Sequence, residues 1–268
     1  MELSTAQVAF FKKHGYLAVS SFFNDQEVLA FQAEVARLQA NGKLRNVATE
    51  GDGKTMASTV KNLQLCPMFN ESDLFRAVPF APKVKAAITQ LIGDPFIKHL
   101  DQIFLKPGNG EGMGTNWHQD NAYFQIADPL RGTAMWVAAH EATLANGTMQ
   151  IVPDAFREKL EHTRDPMSDH HIRCFPDESR AIPVELPAGG VLFFCYGTPH
   201  CTKNNFTDKA RAGLAFHFLH EDFAAKSLIE DGRNDRPYVT GPKSTGGQSE
   251  YGVKVDGTWD SEVEKASG

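Results

Sequence analysis

Three residues of this chain have the types and the spacing that a metal centre requires. His118 and Asp120 are two positions apart in the run WHQD at 117–120, and on a β-strand such residues project to the same face. His200 occurs much later, after the apolar run 191–194. Two imidazoles and one carboxylate, with coordination positions left open, form the ligand set of non-haem Fe(II) oxygenases. The sequence therefore predicts an iron site formed by His118, Asp120 and His200.

Arg211 stands shortly after His200, at the start of the strand-like run 212–218. A hairpin of that length can return Arg211 to the neighbourhood of the metal. A guanidinium there can bind a carboxylate through two parallel hydrogen bonds. Thr202, two residues after His200 on the same strand face, adds a hydroxyl donor. We expect both residues to bind a dicarboxylic co-substrate; a surface arginine and an ordinary sheet threonine are the alternatives.

Several short motifs occur in the order typical of one oxygenase family. They are FLKP at 104–107, WHQDNAYF at 117–124, MWVA at 135–138, NGTMQIVP at 146–153, TPH at 198–200, NN at 204–205 and RAG at 211–213. Through these motifs, the chain from about residue 3 to residue 221 resembles the phytanoyl-CoA dioxygenase family of Fe(II)/2-oxoglutarate-dependent oxygenases. One departure is the run DAF at 154–156, where the family usually has Gly-Ser-His.

The resemblance implies a double-stranded β-helix, a jelly roll of the cupin type, and a reaction that uses Fe(II), 2-oxoglutarate and O2. It assigns His118, Asp120 and His200 to iron and Arg211 to the distal carboxylate of 2-oxoglutarate. It places Trp136 in the wall of the co-substrate pocket, although a plain core role is equally consistent with the sequence. Related halogenases lack this carboxylate, so its presence predicts hydroxylation by default, with desaturation, epoxidation or ring closure as other outcomes.

Other polar residues near these motifs are candidates for co-substrate or substrate contacts. Asn116 precedes His118 by two residues, so both fall on one face of a strand. Gln102 and Lys61 are further candidates, although a structural role is favoured over a functional one for each of the three taken singly. Lys106, before a proline at a strand end, is expected to form a surface ion pair. The competing histidines, expected to be surface or core residues, are His140, His170, His171, His217 and His220.

The composition is that of an ordinary globular protein, with 268 residues, 41% hydrophobic and 22% charged. The formal net charge of −6 argues against nucleic acid or an anionic membrane as a partner. The four cysteines show no CxxC spacing, no secretory signal is evident, and no apolar run is long enough to span a membrane. We expect a cytoplasmic enzyme, monomeric or homodimeric, that acts on a small molecule.

The hydrophobic pattern changes along the chain. Capping boxes at 4–7 and 24–27 predict two helices, a strand is expected between them, and 81–93 has the spacing of a third helix. Short strands are expected at 96–105, 116–123, 134–142, 149–152, 182–186, 191–196 and 214–220. The prediction is one mainly β domain. Its helical part (1–95) supports a jelly-roll core (96–221), followed by a polar extension (222–268) expected to be flexible from about residue 240.

Two other functions use part of the same pattern. Two imidazoles and a carboxylate also suit Zn(II), so a zinc- or manganese-dependent hydrolase or isomerase on a cupin-like barrel is one alternative. Arg211 argues against it, because a hydrolase has no need of a buried dicarboxylate anchor. The other alternative is an inactive relative that binds 2-oxoglutarate, which the complete ligand set disfavours. Loops 44–76 and 154–180 are expected to contact the organic substrate.

Overall fold

The computed structural model describes residues 2–224 and 236–268. Its N-terminal part begins with helix α1 (Thr5–His14), strand β1 (Tyr16–Val19) and helix α2 (Asp25–Ala40). Both helices start at the predicted capping boxes, in which a cap side chain and the third helical residue satisfy each other's backbone N–H groups. Gly15, in the left-handed conformation with φ of 79°, ends α1 and turns the chain into β1.

The remaining elements are two short strands and two helices, then the strands of the core, and finally two C-terminal helices. Before the core come β2 (Arg45–Asn46), β3 (Leu63–Leu65), α3 (Asp73–Ala77) and α4 (Pro82–Ile92). The core contains β4 (Phe96–Lys106), β5 (Thr115–His118), α5 (Asn121–Phe124), β6 (Gly132–Ala138), β7 (Met149–Ile151), β8 (Thr163–Arg164), β9 (Ile172–Arg173), β10 (Ile182–Val184), β11 (Val191–Cys195), β12 (His200–Thr202) and β13 (Arg211–His220). Short 3-10 helices lie at Val78–Phe80, Pro129–Arg131, Glu178–Arg180 and Glu221–Phe223. Helices α6 (Gln248–Tyr251) and α7 (Trp259–Ser267) complete the chain.

Two antiparallel sheets face each other as in a jelly roll. The larger has seven strands in the order β1-β11-β6-β13-β4-β3-β2, and the smaller has four in the order β10-β7-β12-β5. Strands that are neighbours in a sheet are often distant in sequence, as β1 and β11 are, and such crossovers are typical of this architecture. A separate hairpin of β8 and β9 lies outside both sheets.

Strand β6 shows how the large sheet is buried on both faces. Met135 and Val137 belong to the apolar core formed with the helices, whereas Ala134, Trp136 and Ala138 belong to a second apolar cluster shared with the small sheet. This alternation follows from the two-residue period of a strand. Helices therefore cover one face of the large sheet, and the small sheet covers the other. Among the described residues, no helix combines the length and the apolarity that crossing a bilayer requires.

The C-terminal extension differs from the expectation of a flexible polar segment. Helix α7 packs against α2, and Trp259 and Val263 are buried there. The indole Nε1 of Trp259 donates a hydrogen bond of 2.9 Å to Glu27 Oε1, and its ring lies beside Phe31. A few apolar residues in a polar segment suffice to bind it to the helical layer. Residues 225–235 of the extension lie outside the described residues.

Candidate metal centre

His118, Asp120 and His200 come together at one end of the small sheet. One ligand atom from each lies within 4.8 Å of the other two, and no other such group of three occurs among residues 2–224 and 236–268. His118 ends β5 and His200 begins β12, where the two are cross-strand partners. Asp120 Oδ1 is 3.9 Å from His118 Nε2 and 3.8 Å from His200 Nε2. An ion about 2 Å from each of these atoms fits between them.

Asp120 reaches this position from a turn and not from a strand. The strand predicted at 116–123 ends at His118, and Asp120 has helical angles, φ −58° and ψ −32°, at the start of α5. The backbone N–H of Asn121 donates to the carbonyl of Tyr196, which holds this turn against the segment that leads to His200. The side chains of His118 and Asp120 therefore converge, but not because they alternate along one strand as the sequence predicted.

Both histidine rings are held by backbone carbonyls. His118 Nδ1 lies 2.8 Å from Asn116 O, and His200 Nδ1 lies 2.9 Å from Thr198 O. A carbonyl oxygen only accepts hydrogen bonds, so each Nδ1 carries the proton and each Nε2 presents a lone pair to the shared space. Hydrogen bonds of this kind orient ligating histidines and set their tautomer.

The protonation states of the three side chains suit a divalent cation. Burial lowers the pKa of His118 to about 4 and that of His200 well below its usual range, so both rings are neutral. Burial raises the pKa of Asp120 to about 7, because its carboxylate has no cation beside it. Asp120 Oδ2 is buried without a hydrogen-bond partner in the part of the chain that the structure describes. A metal ion would supply the missing charge, and neutral imidazoles are the form that binds it.

Arg211 is buried with part of its guanidinium free. It is 1% exposed, and its Nη2 donates to Gly147 O, while Nε and Nη1 have no partner among the described residues. The guanidinium carbon lies 5.4 Å from the centre of the Trp136 ring. A Cβ on Gly213 would be 2.5 Å from the Trp136 Nε1, so a glycine is needed there to admit the indole. Arg211 therefore offers the N–H donors of two nitrogens, Nε and Nη1, to a ligand.

Two adjoining cavities share a wall that contains His118 and Asp120, whereas His200 lines only the inner one. The narrow inner one reaches Trp136, Thr202 and Arg211, and the outer one, of about 560 Å³, opens toward the surface. Six residues line both cavities: Gln102, Phe104, Thr115, His118, Asp120 and His217. The arrangement places the Arg211 side chain and a larger, more open cavity on two sides of the point where the candidate ligands converge.

The other predicted contacts divide into two groups. Thr202 and Gln102 line the inner cavity, and Thr202 Oγ1 accepts a hydrogen bond of 3.0 Å from Thr115 N, which leaves its own proton free. Asn116 and Lys61 line neither cavity. Asn116 Nδ2 donates to both carboxylate oxygens of Asp165 at 3.0 Å.

Lys61 is held away from the cavities by an ion pair. Its Nζ lies 2.7 Å from Glu111 Oε2, and nearly half of its side chain is exposed. Lys106 differs from the surface ion pair that we expected. It is 1% exposed and donates to the backbone carbonyls of Gly147 and Lys203.

His217, which we expected to be a surface or core residue, lines both cavities. It is buried, both ring nitrogens lack a hydrogen-bond partner within the described residues, and its Nδ1 is 3.5 Å from Asp120 Oδ2. Burial lowers its pKa to about 3, so the ring is neutral. Its even spacing from Arg211 on one strand is a signal that could have placed both on the same face. His171 is a second such residue: it is buried in the outer cavity, and its Nε2 lies 3.1 Å from Gln64 Nε2.

The sequence matches one known protein family over most of its length. The sequence profile of the family described as "Phytanoyl-CoA dioxygenase (PhyH)" matches residues 11–213. The chain belongs to the phytanoyl-CoA dioxygenase family. The ectoine dioxygenase of Bordetella parapertussis is 25% identical over 263 residues, which cover 90% of this chain and 80% of that protein.

Solved structures share the fold of this member of the phytanoyl-CoA dioxygenase family. The carbocyclase SnoK from nogalamycin biosynthesis has a TM-score of 0.70 at 20% identity and covers 90% of this chain and 92% of its own. EctD from S. alaskensis, solved with 2-oxoglutarate and 5-hydroxyectoine, has a TM-score of 0.66 at 20% identity and covers 84% of this chain and 78% of its own. The predicted family, jelly-roll fold and cofactors are confirmed. The protein is a non-haem dioxygenase that uses Fe(II), 2-oxoglutarate and O2.

Proposed function

We propose that His118, Asp120 and His200 bind Fe(II), and that Arg211 with Thr202 binds the distal carboxylate of 2-oxoglutarate. The enzyme would then oxidise an unactivated C–H bond of a small organic metabolite, by hydroxylation in the default case, and release succinate and CO2. The observation that carries the proposal is the convergence of three ligand atoms within 4.8 Å beside a cavity lined by Arg211, whose Nε and Nη1 have no partner among the described residues.

The bound metal and co-substrate supply the oxidising power, and the protein positions them. The Nδ1–H bonds of His118 and His200 keep both Nε2 atoms aimed at one point. Arg211 compensates the charge of a carboxylate that would otherwise be buried without a partner. The Phe194 ring, 4.4 Å from the His200 ring, and Trp136 form apolar walls that keep water from the inner cavity.

The outer cavity supports a small organic substrate with polar groups. Its wall combines aromatic rings with uncharged polar side chains, namely Phe104, Tyr123, Phe124, Gln64, Gln102 and His171. The cations at its mouth are already paired, Lys43 with Glu71 at 2.9 Å and Arg45 with Asp169. The cavity is therefore suited to a hydrogen-bonding molecule and offers little uncompensated positive charge for a multiply charged one.

A zinc- or manganese-dependent hydrolase would leave one feature unexplained. Its metal ligands would be the same, but a buried arginine beside the metal position, whose Nε and Nη1 have no partner among the described residues, would have no function. An inactive relative that binds 2-oxoglutarate would keep the same geometry. Consumption of 2-oxoglutarate separates these possibilities.

The metal assignment is tested by anaerobic titration of the protein with Fe(II). We expect one tightly bound ion, and at least a tenfold loss of affinity in His118→Ala and in Asp120→Ala, because each removes one of three ligands (roughly 1.4 kcal/mol or more). His14→Ala is the control, since His14 pairs with Asp154 outside both cavities. Unchanged iron affinity in either ligand variant would remove the assignment, and so would turnover with zinc that consumes no 2-oxoglutarate.

The role of Arg211 is tested by Arg211→Met. Loss of one partner of a buried charge pair is expected to weaken 2-oxoglutarate binding by about 2–5 kcal/mol, which is roughly thirtyfold or more. The measurement is a calorimetric titration of the Fe(II) protein with 2-oxoglutarate under anaerobic conditions. Wild-type affinity in the variant would show that another cation holds the carboxylate.

A further inference from the structure

Two cations lie opposite each other at one end of the large sheet. Lys106 is the last residue of β4, Arg211 is the first of β13, and the register pairs them directly. Both side chains are 1% exposed. Side chains in directly opposite positions of an antiparallel pair are close neighbours, and like charges there destabilise the sheet. The protein therefore keeps an unfavourable pair at the edge of the inner cavity.

Neither cation has an acidic partner among residues 2–224 and 236–268. The same strand provides the contrast: Lys98 is also buried, and its Nζ lies 2.5 Å from Asp101 Oδ2. A buried charge without a counter-charge is costly, and natural proteins normally pair it. The missing anion at Lys106 and Arg211 is therefore best supplied by a ligand.

One backbone oxygen joins the two cations. Lys106 Nζ donates to Gly147 O at 3.1 Å and to Lys203 O, and Arg211 Nη2 donates to the same Gly147 O. Gly147 has φ of +74°, and a Cβ there would lie 2.1 Å from Lys203 O. Lys106 thus binds the turn at 147 to the end of β12 and holds the acceptor that orients Arg211.

The contacts of Lys106 also show what its charge adds. A neutral donor would satisfy the same two carbonyls at less cost of burial. Lys106 does not line either cavity, so it reaches a ligand only through Arg211, the Gly147 carbonyl and its electric field. In a buried site, the attraction between a second positive charge and a nearby anion is weakly screened by solvent.

We propose that Lys106 is a positioning residue for the co-substrate, whose ammonium charge makes the Arg211 subsite dicationic and selects 2-oxo acids that carry a second carboxylate. This inference rests on the proposed role of Arg211. Burial, together with the charge of Arg211, lowers the pKa of Lys106 well below its usual range. A carboxylate bound at Arg211 favours the charged form of Lys106 and so gains affinity from it.

The test compares two probes of equal carbon chain length. 2-Oxoglutarate has the distal carboxylate, and 2-oxopentanoate lacks it, while both present the same 2-oxo acid group. Each is titrated calorimetrically into the Fe(II) protein without oxygen, for the wild type, Lys106→Met and Lys106→Gln. The glutamine variant keeps a donor for Gly147 but removes the charge, and it serves if the methionine variant does not fold. Lys209→Met, an exposed lysine of the loop before β13, is the matched control.

We expect the wild type and Lys209→Met to prefer 2-oxoglutarate, and both Lys106 variants to bind it about tenfold more weakly. Their affinity for 2-oxopentanoate should stay within about twofold of the wild-type value, because this probe has no distal carboxylate to interact with the Lys106 charge. Equal losses for both probes would indicate a purely structural lysine and overturn the inference. An unchanged preference in Lys106→Gln would overturn it as well. If the wild type itself does not prefer 2-oxoglutarate, the assignment of Arg211 fails first.

Discussion

At the scale of single residues, several of the unsatisfied buried polar atoms cluster at the inner cavity. Most buried polar groups of a folded protein have partners, so the exceptions require an explanation. Asp120, Arg211 and His217 all contribute such atoms, and all three line the inner cavity. Ligands bound in the inner cavity would supply the partners that these atoms lack.

His217→Phe should stabilise the metal-free protein. The change removes two buried ring nitrogens without partners and retains an aromatic ring beside Phe124 and Tyr196. We expect the free energy of unfolding in urea to rise by about 1–2 kcal/mol.

His220→Phe is the matched control for this change. His220 Nε2 contacts Asp94 O and its Nδ1 accepts from Asp222 N, so the same substitution there should lower stability. A loss of stability in His217→Phe equal to that in His220→Phe would show that His217 is an ordinary core residue.

At the scale of elements, the site depends on where β5 ends and where β12 and β13 begin. His118 and His200 meet because β5 and β12 pair, and Arg211 reaches the inner cavity because β13 begins beside the end of β4. The described helices that pack on the large sheet contribute none of the three candidate ligands. They cover the outer face of the large sheet, and α7 extends this layer. A change in the helical layer should therefore affect stability more than metal binding.

Trp259→Ala tests this separation. The indole fills a buried site among Phe23 and Phe31 and bonds to Glu27, so its removal should lower the free energy of unfolding by about 3–5 kcal/mol. Trp259→Phe should lose less, because it keeps most of the ring contacts. Iron affinity of the folded fraction should match the wild type. A loss below about 1 kcal/mol in Trp259→Ala would mean that α7 contributes little to the fold.

At the scale of the whole molecule, burial of histidines makes stability depend on pH. Burial, with smaller contributions from the charges of Arg236 and Lys98, lowers the pKa of His99 to about 3. In the unfolded chain a histidine titrates near 6.5. As the pH falls from about 6.5 to about 3, the unfolded state takes up a proton that the folded state does not, and stability falls.

His99→Gln should remove the proton that the unfolded state takes up at this residue, and with it the associated loss of stability at low pH. The glutamine can keep a hydrogen bond to Tyr196, whose hydroxyl lies 3.1 Å from His99 Nδ1. Between pH 4 and pH 6, the slope of unfolding free energy against pH should decrease by about 1.4 kcal/mol per pH unit relative to the wild type. The measurement is urea unfolding of the metal-free protein at several pH values. An unchanged slope would show that His99 is protonated in the fold.

Local sequence patterns were sufficient for much of this molecule. The capping boxes at 4–7 and 24–27, the period of two in the strands and the order of the motifs are properties of short segments. They predicted the helical part, the jelly roll and the family, and they named His118, Asp120, His200 and Arg211. The structure brings these four around connected cavities, and their ligand roles stay predictions for the titrations above.

Only the packing of distant segments settled the rest. Asp120 approaches from a turn because Tyr196 accepts a hydrogen bond from the residue after it, and Lys61 is held outside by Glu111. Lys106 is buried because it is the last residue of β4 and lies opposite Arg211, the first residue of β13. Nothing within a few residues of these positions distinguishes a surface cation from a buried one. Burial and missing partners are properties of the folded chain, since the groups that surround a side chain come from other parts of the sequence.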